Sequence, residues 1–197
     1  MKFDFSQPIK LENERVILRP LEQNDFTYLL PFSENEKDLW DFSLTPAAGA
    51  ENLQTYIDTA LTAKEKLQAY PFVVFDKHVD KVAGSTRFYD IQITHNVLSL
   101  GYTWYGTEFQ RTGLNRNCKY LLLSYAFDVL GVDRVEFRAD LRNVKSIQAM
   151  KQIGCTQEGI LRSNCCASDV RRDSIVLSIL KPEWDQKVKT HLQSKLY

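Results

Sequence analysis

The sequence has no uninterrupted apolar stretch of the roughly 18 residues that a membrane-spanning helix needs, so no such span is expected. Its opening, MKFDFSQPIKLENERVIL, lacks the apolar middle region of a secretory signal. There is no surplus of charge: Lys plus Arg and Asp plus Glu both number 25. A protein that grips nucleic-acid phosphates usually shows a basic excess, so direct nucleic-acid binding is not expected. Cysteine is scarce, with Cys118, Cys155, Cys165 and Cys166 and no CxxC spacing. That points away from a disulfide framework and toward reduced thiols in a cytoplasmic protein. The histidines, His78, His95 and His191, stand far apart in sequence, and no metal site is indicated. GxxxxGK[ST] is absent, which excludes a P-loop, and GxGxxG is absent, which leaves a dinucleotide fingerprint unsupported. Repeats, low-complexity tracts and long Pro/Gly/Ser linkers are missing too. The chain therefore reads as a single domain over 1–197, large enough to bury a core without cross-links.

Strand signals come from β-branched and aromatic runs. Arg15 to Arg19 reads as a strand stopped by Pro20. Two helical segments follow, near 22–32 with Pro31 interrupting, and near 50–68, where Leu53, Tyr56, Ile57, Ala60, Leu61 and Leu67 recur at helical spacing. Next come strands near 71–75 and 81–88, joined by a hairpin turn at DKHVD, and a strand over 97–105. In this last one, Leu98, Leu100, Tyr102 and Trp104 fall on one face and Ser99, Gly101 and Thr103 on the other. A helix over 113–130 follows, its apolar face carried by Leu114, Cys118, Leu121, Leu122, Tyr125, Ala126 and Val129 and widened by Leu123 and Phe127, with Gly131 as its stop. A strand at 134–139 leads to a short helix over 143–153, with Val144, Ile147 and Met150 apolar and Gly154 as stop. Strands at 159–162 and 174–180 close the core, and the tail beyond Pro182 allows one more short helix. The order β, α, α, β, β, β, α, β, α, β, β predicts an α/β (α+β) mixed sheet of about seven strands, mostly antiparallel, flanked by four or more helices. One parallel β-α-β unit is expected over 97–139.

The stretch WYGTEFQRTGLNRNCKYLLLSYAF joins an aromatic strand end to an apolar helix through Gln110, Arg111, Thr112, Gly113, Leu114, Asn115 and Arg116. The first turn of a helix exposes N–H groups without intrahelical partners, and the helix dipole adds positive potential there. A glycine lets the backbone close on an anion, and successive amides form a concave nest. Read locally, this turn is either a phosphate cradle or an ordinary tight connection with solvated arginines.

The turn resembles the cofactor motif of the GNAT superfamily, the acetyl-CoA-dependent N-acetyltransferases, which runs Gln/Arg-x-x-Gly-x-Gly/Ala. Gln110 and Gly113 match, and Asn115 replaces the final small residue. GYTWYGTEFQRTGLNRNCKYLLLSYAF, RVEFRADLRNVKSIQAM and IGCTQEGILR together look like the branch of the ribosomal-protein N-terminal acetyltransferases, across about residues 15–182, with a tail at 183–197. The resemblance implies a GNAT fold in which the 97–105 and 134–139 strands splay and admit the pantetheine. Backbone near Tyr102, Thr103 and Trp104, freed by a bulge, would pair with its amides. Amides of Arg111, Thr112, Gly113, Leu114, Asn115 and Arg116 would hold the diphosphate. It implies that Asn143 orients cofactor or water and that Ser146 protonates the leaving thiolate, whose pKa of roughly 8.5 asks only for a weak donor. The plain alternative is that Asn143 merely caps its helix and Ser146 supports the first turn. Ser99 stands where related sequences often carry a glutamate, so no base is carried over; Glu108 is a candidate by sequence proximity. Asp38, Trp40 and Asp41 would receive the acceptor, or form a loop anchored by one tryptophan. The implied partners are acetyl-CoA and an amine: a peptide or protein N-terminus first, and a polyamine, amino acid or aminoglycoside second. A CoA binder without catalysis and a homodimer remain open, and no metal is implied.

Overall fold

The computed structural model describes residues 1, 3–167 and 170–196. One sheet runs β1 (Leu11–Glu12), β2 (Val16–Pro20), β3 (Ala69–Asp76), β4 (Lys81–Gln92), β5 (Val97–Tyr105), β6 (Arg134–Asp140), β8 (Val170–Leu180), β7 (Thr156–Ala167). It has eight strands. The seven read from sequence omit β1, whose two residues carry no periodicity and are held by pairing with Ile17 and Leu18. All pairs are antiparallel except β5 with β6. The last two strands are longer than expected, because β7 and β8 extend as a hairpin beyond the apolar residues that signalled them.

Helix α1 (Phe26–Asn35) begins after a 3-10 turn at Gln23–Asp25 and runs through Pro31 instead of breaking there. Pro31 is exposed, so the carbonyl that loses its partner faces water, while Leu29 and Phe32 on the other side are buried. Helix α2 (Ala50–Glu65) buries Leu53, Tyr56, Ile57 and Ala60, the i, i+3, i+4, i+7 stripe of an amphipathic helix. Leu67 is not on that stripe. It lies past the helix end with φ of 60° and is exposed.

Helix α3 starts at Leu114 and is α-helical to Ser124, then π-helical over Tyr125–Val129. The wider π turn rotates the last residues, so Phe127 is buried and Val129 is exposed, against the simple 3.6-residue reading. Gly131, at φ of 70°, ends it. Helix α4 (Val144–Ile153) buries Met150 and Ile153 but leaves Val144 exposed, and Gly154 terminates it at φ of 109°. The tail forms α5 over 181–193, with a π turn at Trp184–Val188. Trp184 is fully buried, stacks on Phe127 with ring centroids 5.4 Å apart, and donates Nε1–H to Asp128 at 3.0 Å. The tail is thereby pinned against the far end of α3.

Residues directly opposite in an antiparallel pair share a face of the sheet. Phe88 faces Leu100, whereas Tyr89, Arg87 and Ser85 face Ser99, Gly101 and Trp104. Between Gly101 and Trp104, β5 spends three steps while β4 spends two. This bulge is centred on Tyr102, which adopts φ of 50°, rare for a residue with a side chain. Trp104 therefore lies on the face of Ser99, not on that of Leu98 and Leu100, and the strict alternation expected for this strand fails at the bulge. The Trp104 face packs under α1 and α2: Nε1 of Trp104 donates to Tyr56 Oη at 3.3 Å, and its ring meets Phe32 at 6.0 Å. The opposite face packs on α3, where Lys119 and Asn115 reach Thr103 and Tyr105.

Candidate active site

Pairing between β5 and β6 covers Val97 to Ser99 against Arg134 to Glu136 and then stops. β6 continues to Asp140 alongside β8, and β5 continues to Tyr105 alongside β4. The β6-facing edge of β5 from Leu100 to Tyr105 is left without a strand partner. The two central strands thus splay, and the bulge at Tyr102 lies at the start of the opening, with Thr103 half-buried next to it. An unpaired strand edge inside a protein is a template for an amide-bearing chain.

The opening leads to the turn before α3. Arg111 and Gly113 adopt left-handed conformations, φ of 61° and 87°. An Ala or larger residue at Gly113 would be strained there although the space is open. Phe109 N–H and Gln110 N–H are satisfied within the turn, and Arg116 N–H and Asn117 N–H bond to the Gly113 carbonyl. Leu114 N–H reaches Thr112 Oγ1 at 3.4 Å. The amides of Arg111, Thr112, Gly113 and Asn115 have no hydrogen-bond acceptor among the described residues. Side chains hold the turn in place: Thr112 Oγ1 donates to the Phe109 carbonyl at 2.7 Å, Gln110 Nε2 to the Tyr105 carbonyl at 3.1 Å, and Tyr105 Oη to Asn115 Oδ1 at 3.1 Å. Asn115 thus keeps its N–H available while its side chain is anchored.

A cavity of about 490 Å³ opens over the amides of Arg111, Thr112 and Gly113. Arg15, Arg111, Arg116, Lys195 and His78 line it, with Glu14 as its carboxylate. Arg15 is pinned by a bidentate pair to Asp76, Nε to Oδ1 at 2.9 Å and Nη2 to Oδ2 at 2.8 Å, with Asp76 buried. Arg116 donates to the Lys195 carbonyl at 2.6 Å, which brings the tail to the cavity rim. Sequence reasoning found Arg111 and Arg116 but missed Arg15, His78 and Lys195, which come from the residue just before β2, the β3–β4 turn and the tail. Only folding juxtaposes them.

Lys119 is 5% exposed and its Nζ donates to Thr103 Oγ1 at 2.8 Å. Burial pushes its pKa down to about 8. A lysine in an apolar helical run gives no warning of this in the sequence.

A second cavity, about 480 Å³, spans from Thr107 and Gln110 after β5 to Lys145 at the head of α4, with Glu34, Glu36 and Asp38 along its rim. Glu36 Oε2 accepts from Thr107 N–H at 2.6 Å and Oγ1–H at 2.5 Å. Asn143 caps α4, its Oδ1 accepting Ser146 N–H at 3.0 Å. Ser146 is half-buried, and its hydroxyl has no partner among the described residues. Asp38 borders this cavity and Asp41 is exposed, but Trp40 turns inward, 5% exposed, with its ring 4.8 Å from that of Trp104. The three do not form one cluster. Ser99 is buried opposite Glu136, whose carboxylate is tied to Arg134 and Arg138. Glu108 is exposed, 4.0 Å from Lys81 Nζ, away from Ser99 in the strand register.

Comparison with known proteins gives one direction. The domain family described as acetyltransferase (GNAT) domain matches residues 15–156. The protein called "Probable N-acetyltransferase YjcK" of Bacillus subtilis is 27% identical over 182 residues, covering 89% of this chain and 99% of that one. "Putative ribosomal N-acetyltransferase YdaF" of the same organism is 25% identical over 181 residues, covering 88% and 95%. The crystal structure of a GCN5-related N-acetyltransferase from Brucella melitensis superposes with a TM-score of 0.89 at 27% identity, covering 97% of this chain and 86% of that one.

Proposed function

The chain belongs to the GNAT acetyltransferase family, and from that premise we propose that it acetylates the α-amine of a protein or peptide N-terminus with acetyl-CoA. The observation that carries the acetyl-CoA part is the run of unpartnered amides at Arg111, Thr112 and Gly113 under a cavity lined by basic side chains, with the unpartnered amide of Asn115 beside them at the start of α3. Such a nest suits a diphosphate, because it recognises charge through the backbone and tolerates drift in side chains. The unpaired edge of β5 beyond Leu100 suits the amides of the pantetheine, with Tyr102, Thr103 and Trp104 supplying backbone there. Acetyl-CoA, when bound, supplies an activated acyl group.

The chain's own residues do the rest. Ser146 Oγ, unpartnered at the head of α4, donates a proton to the departing thiolate. Asn143 fixes that turn by capping it. Among the described residues no carboxylate is placed to serve as base, and an α-amine with a pKa of roughly 7.7–8.0 is already partly neutral at pH 7, so positioning supplies much of the rate. The rim of the second cavity sets Glu34, Glu36 and Asp38 beside Lys37 and Lys145, so its charge does not choose between acceptors. The word "ribosomal" in the name of one relative supports a protein acceptor. Thiol release from acetyl-CoA, measured with a panel of peptides and small amines, tests the reading. Release only with N-terminal amines supports it; release only with polyamines or aminoglycosides, or none at all, overturns it.

A further inference from the structure

Arg87 lies on β4, opposite Gly101, on the face covered by α2. It is 3% exposed. Its guanidinium is stacked between two rings, 4.8 Å from the centroid of Tyr56 and 4.0 Å from that of Tyr102. Among the described residues, no Asp or Glu lies within ion-pair distance, and its buried Nε and Nη2 have no hydrogen-bond partner. Cation–π contacts return only part of the cost of burying such a charge. What remains unpaired is one complete edge of the fork. The same edge is filled elsewhere in this molecule: Arg15 grips Asp76 and Arg142 grips Asp140, each with Nε to one carboxylate oxygen and Nη2 to the other, at 2.7–2.9 Å. The covering ring of Tyr102 is half-buried and is carried by the bulge where β5 parts from β6.

We propose that the Nε/Nη2 edge of Arg87 receives a carboxylate of the acceptor, so that the preferred acceptors are amines carrying an acidic group. This rests on the acetyl-transfer reading and narrows its substrate class. The planar fork matches a carboxylate in both shape and charge, and a buried, otherwise unpaired guanidinium rejects a neutral group in that place. A carboxylate reaches that buried edge only if the half-buried Tyr102 ring turns aside. The carboxylate comes either from the acidic side chain of a peptide's first residue or from the α-carboxylate of a free amino acid.

The test compares kcat/KM for matched pairs: Glu-Ala-Ala amide against Gln-Ala-Ala amide for the first source, and alanine against alaninamide for the second. The wild type should prefer the acid member of one pair by about ten- to hundredfold, the range of a charge-assisted bidentate contact. The pair that discriminates names the source. Arg87→Gln should collapse that ratio; if it does not fold, Arg87→Lys, which keeps the charge and loses the fork, should lower the ratio most of the way. No preference in the wild type, or a ratio preserved in the variant, overturns the proposal, and a structural role would lower both members alike. If no amine turns over, the transfer reading fails separately. Calorimetry of the CoA-loaded protein with N-acetylglutamate and with N-acetylalanine, each against its amide, then decides: uptake that depends on the carboxylate and on Arg87 upholds the contact, and its absence overturns it.

Discussion

Replacing Lys119 with methionine should stabilise the folded protein at neutral pH, and the gain should fade in alkali. Burial lowers the pKa of this amine from 10.5 to about 8. At about 1.4 kcal/mol for each tenfold, holding it protonated costs the native state about 3 kcal/mol at pH 7. Its bond to Thr103 returns about 1 kcal/mol. Methionine fills the same volume, and Thr103 Oγ1 keeps its 2.7 Å partner, Thr86 Oγ1. The expected net gain at pH 7 is about 2 kcal/mol. Between pH 8 and 10.5 the native amine has lost its proton while the unfolded chain keeps it, so wild-type stability rises relative to the variant. By pH 10 the penalty is below about 1 kcal/mol and the advantage of methionine is gone. Urea unfolding of both proteins from pH 7 to 10, compared at each pH, reads this difference. The comparison at equal pH matters because Cys118 and Cys155, whose thiols burial pushes up to about 12, cost both proteins stability above pH 9. A gap that stays constant across the range, or a variant less stable at pH 7, refutes the reasoning.

Arg116→Glu reverses a charge on the rim of the basic cavity and should weaken CoA affinity about tenfold at low salt, with a shallower salt dependence; calorimetry showing unchanged affinity contradicts that placement. Ser146→Ala should lower kcat by about a hundredfold while leaving CoA dissociation as it was; equal turnover removes the hydroxyl from the mechanism. Asp76→Asn leaves Arg15 beside a neutral amide in a buried site and should cost about 3 kcal/mol in urea unfolding, and a loss under 1 kcal/mol would show the pair to be solvated.

The free amides of the turn were legible in part because they belong to the backbone, although those of Leu114 and Arg116, also expected to be free, are bonded within the turn. A glycine after a strand and before an apolar helix marks where amides are left free, whichever side chains surround them. Asn143 was legible for a similar local reason, since a cap is set by one residue and the turn that follows. The direction of Trp104 was not, because a bulge moves every later side chain across the sheet and leaves no mark on composition. Val129 misled in the same way through a π turn. The buried charges were hidden most completely. Lys119 and Arg87 sit in stretches where a charged residue normally marks the solvated side, and only packing from α3, α2 and the Tyr102 bulge encloses them. Arg15 and Lys195 join the cavity across long sequence separations, which no local pattern encodes.

The central claim is that four unpaired amides at the head of α3 hold the diphosphate of acetyl-CoA. Amide-resolved NMR during titration with CoA tests it most directly. The N–H resonances of Arg111, Thr112, Gly113 and Asn115 should shift together, with one dissociation constant. Saturation with CoA that leaves those four resonances in place would contradict it.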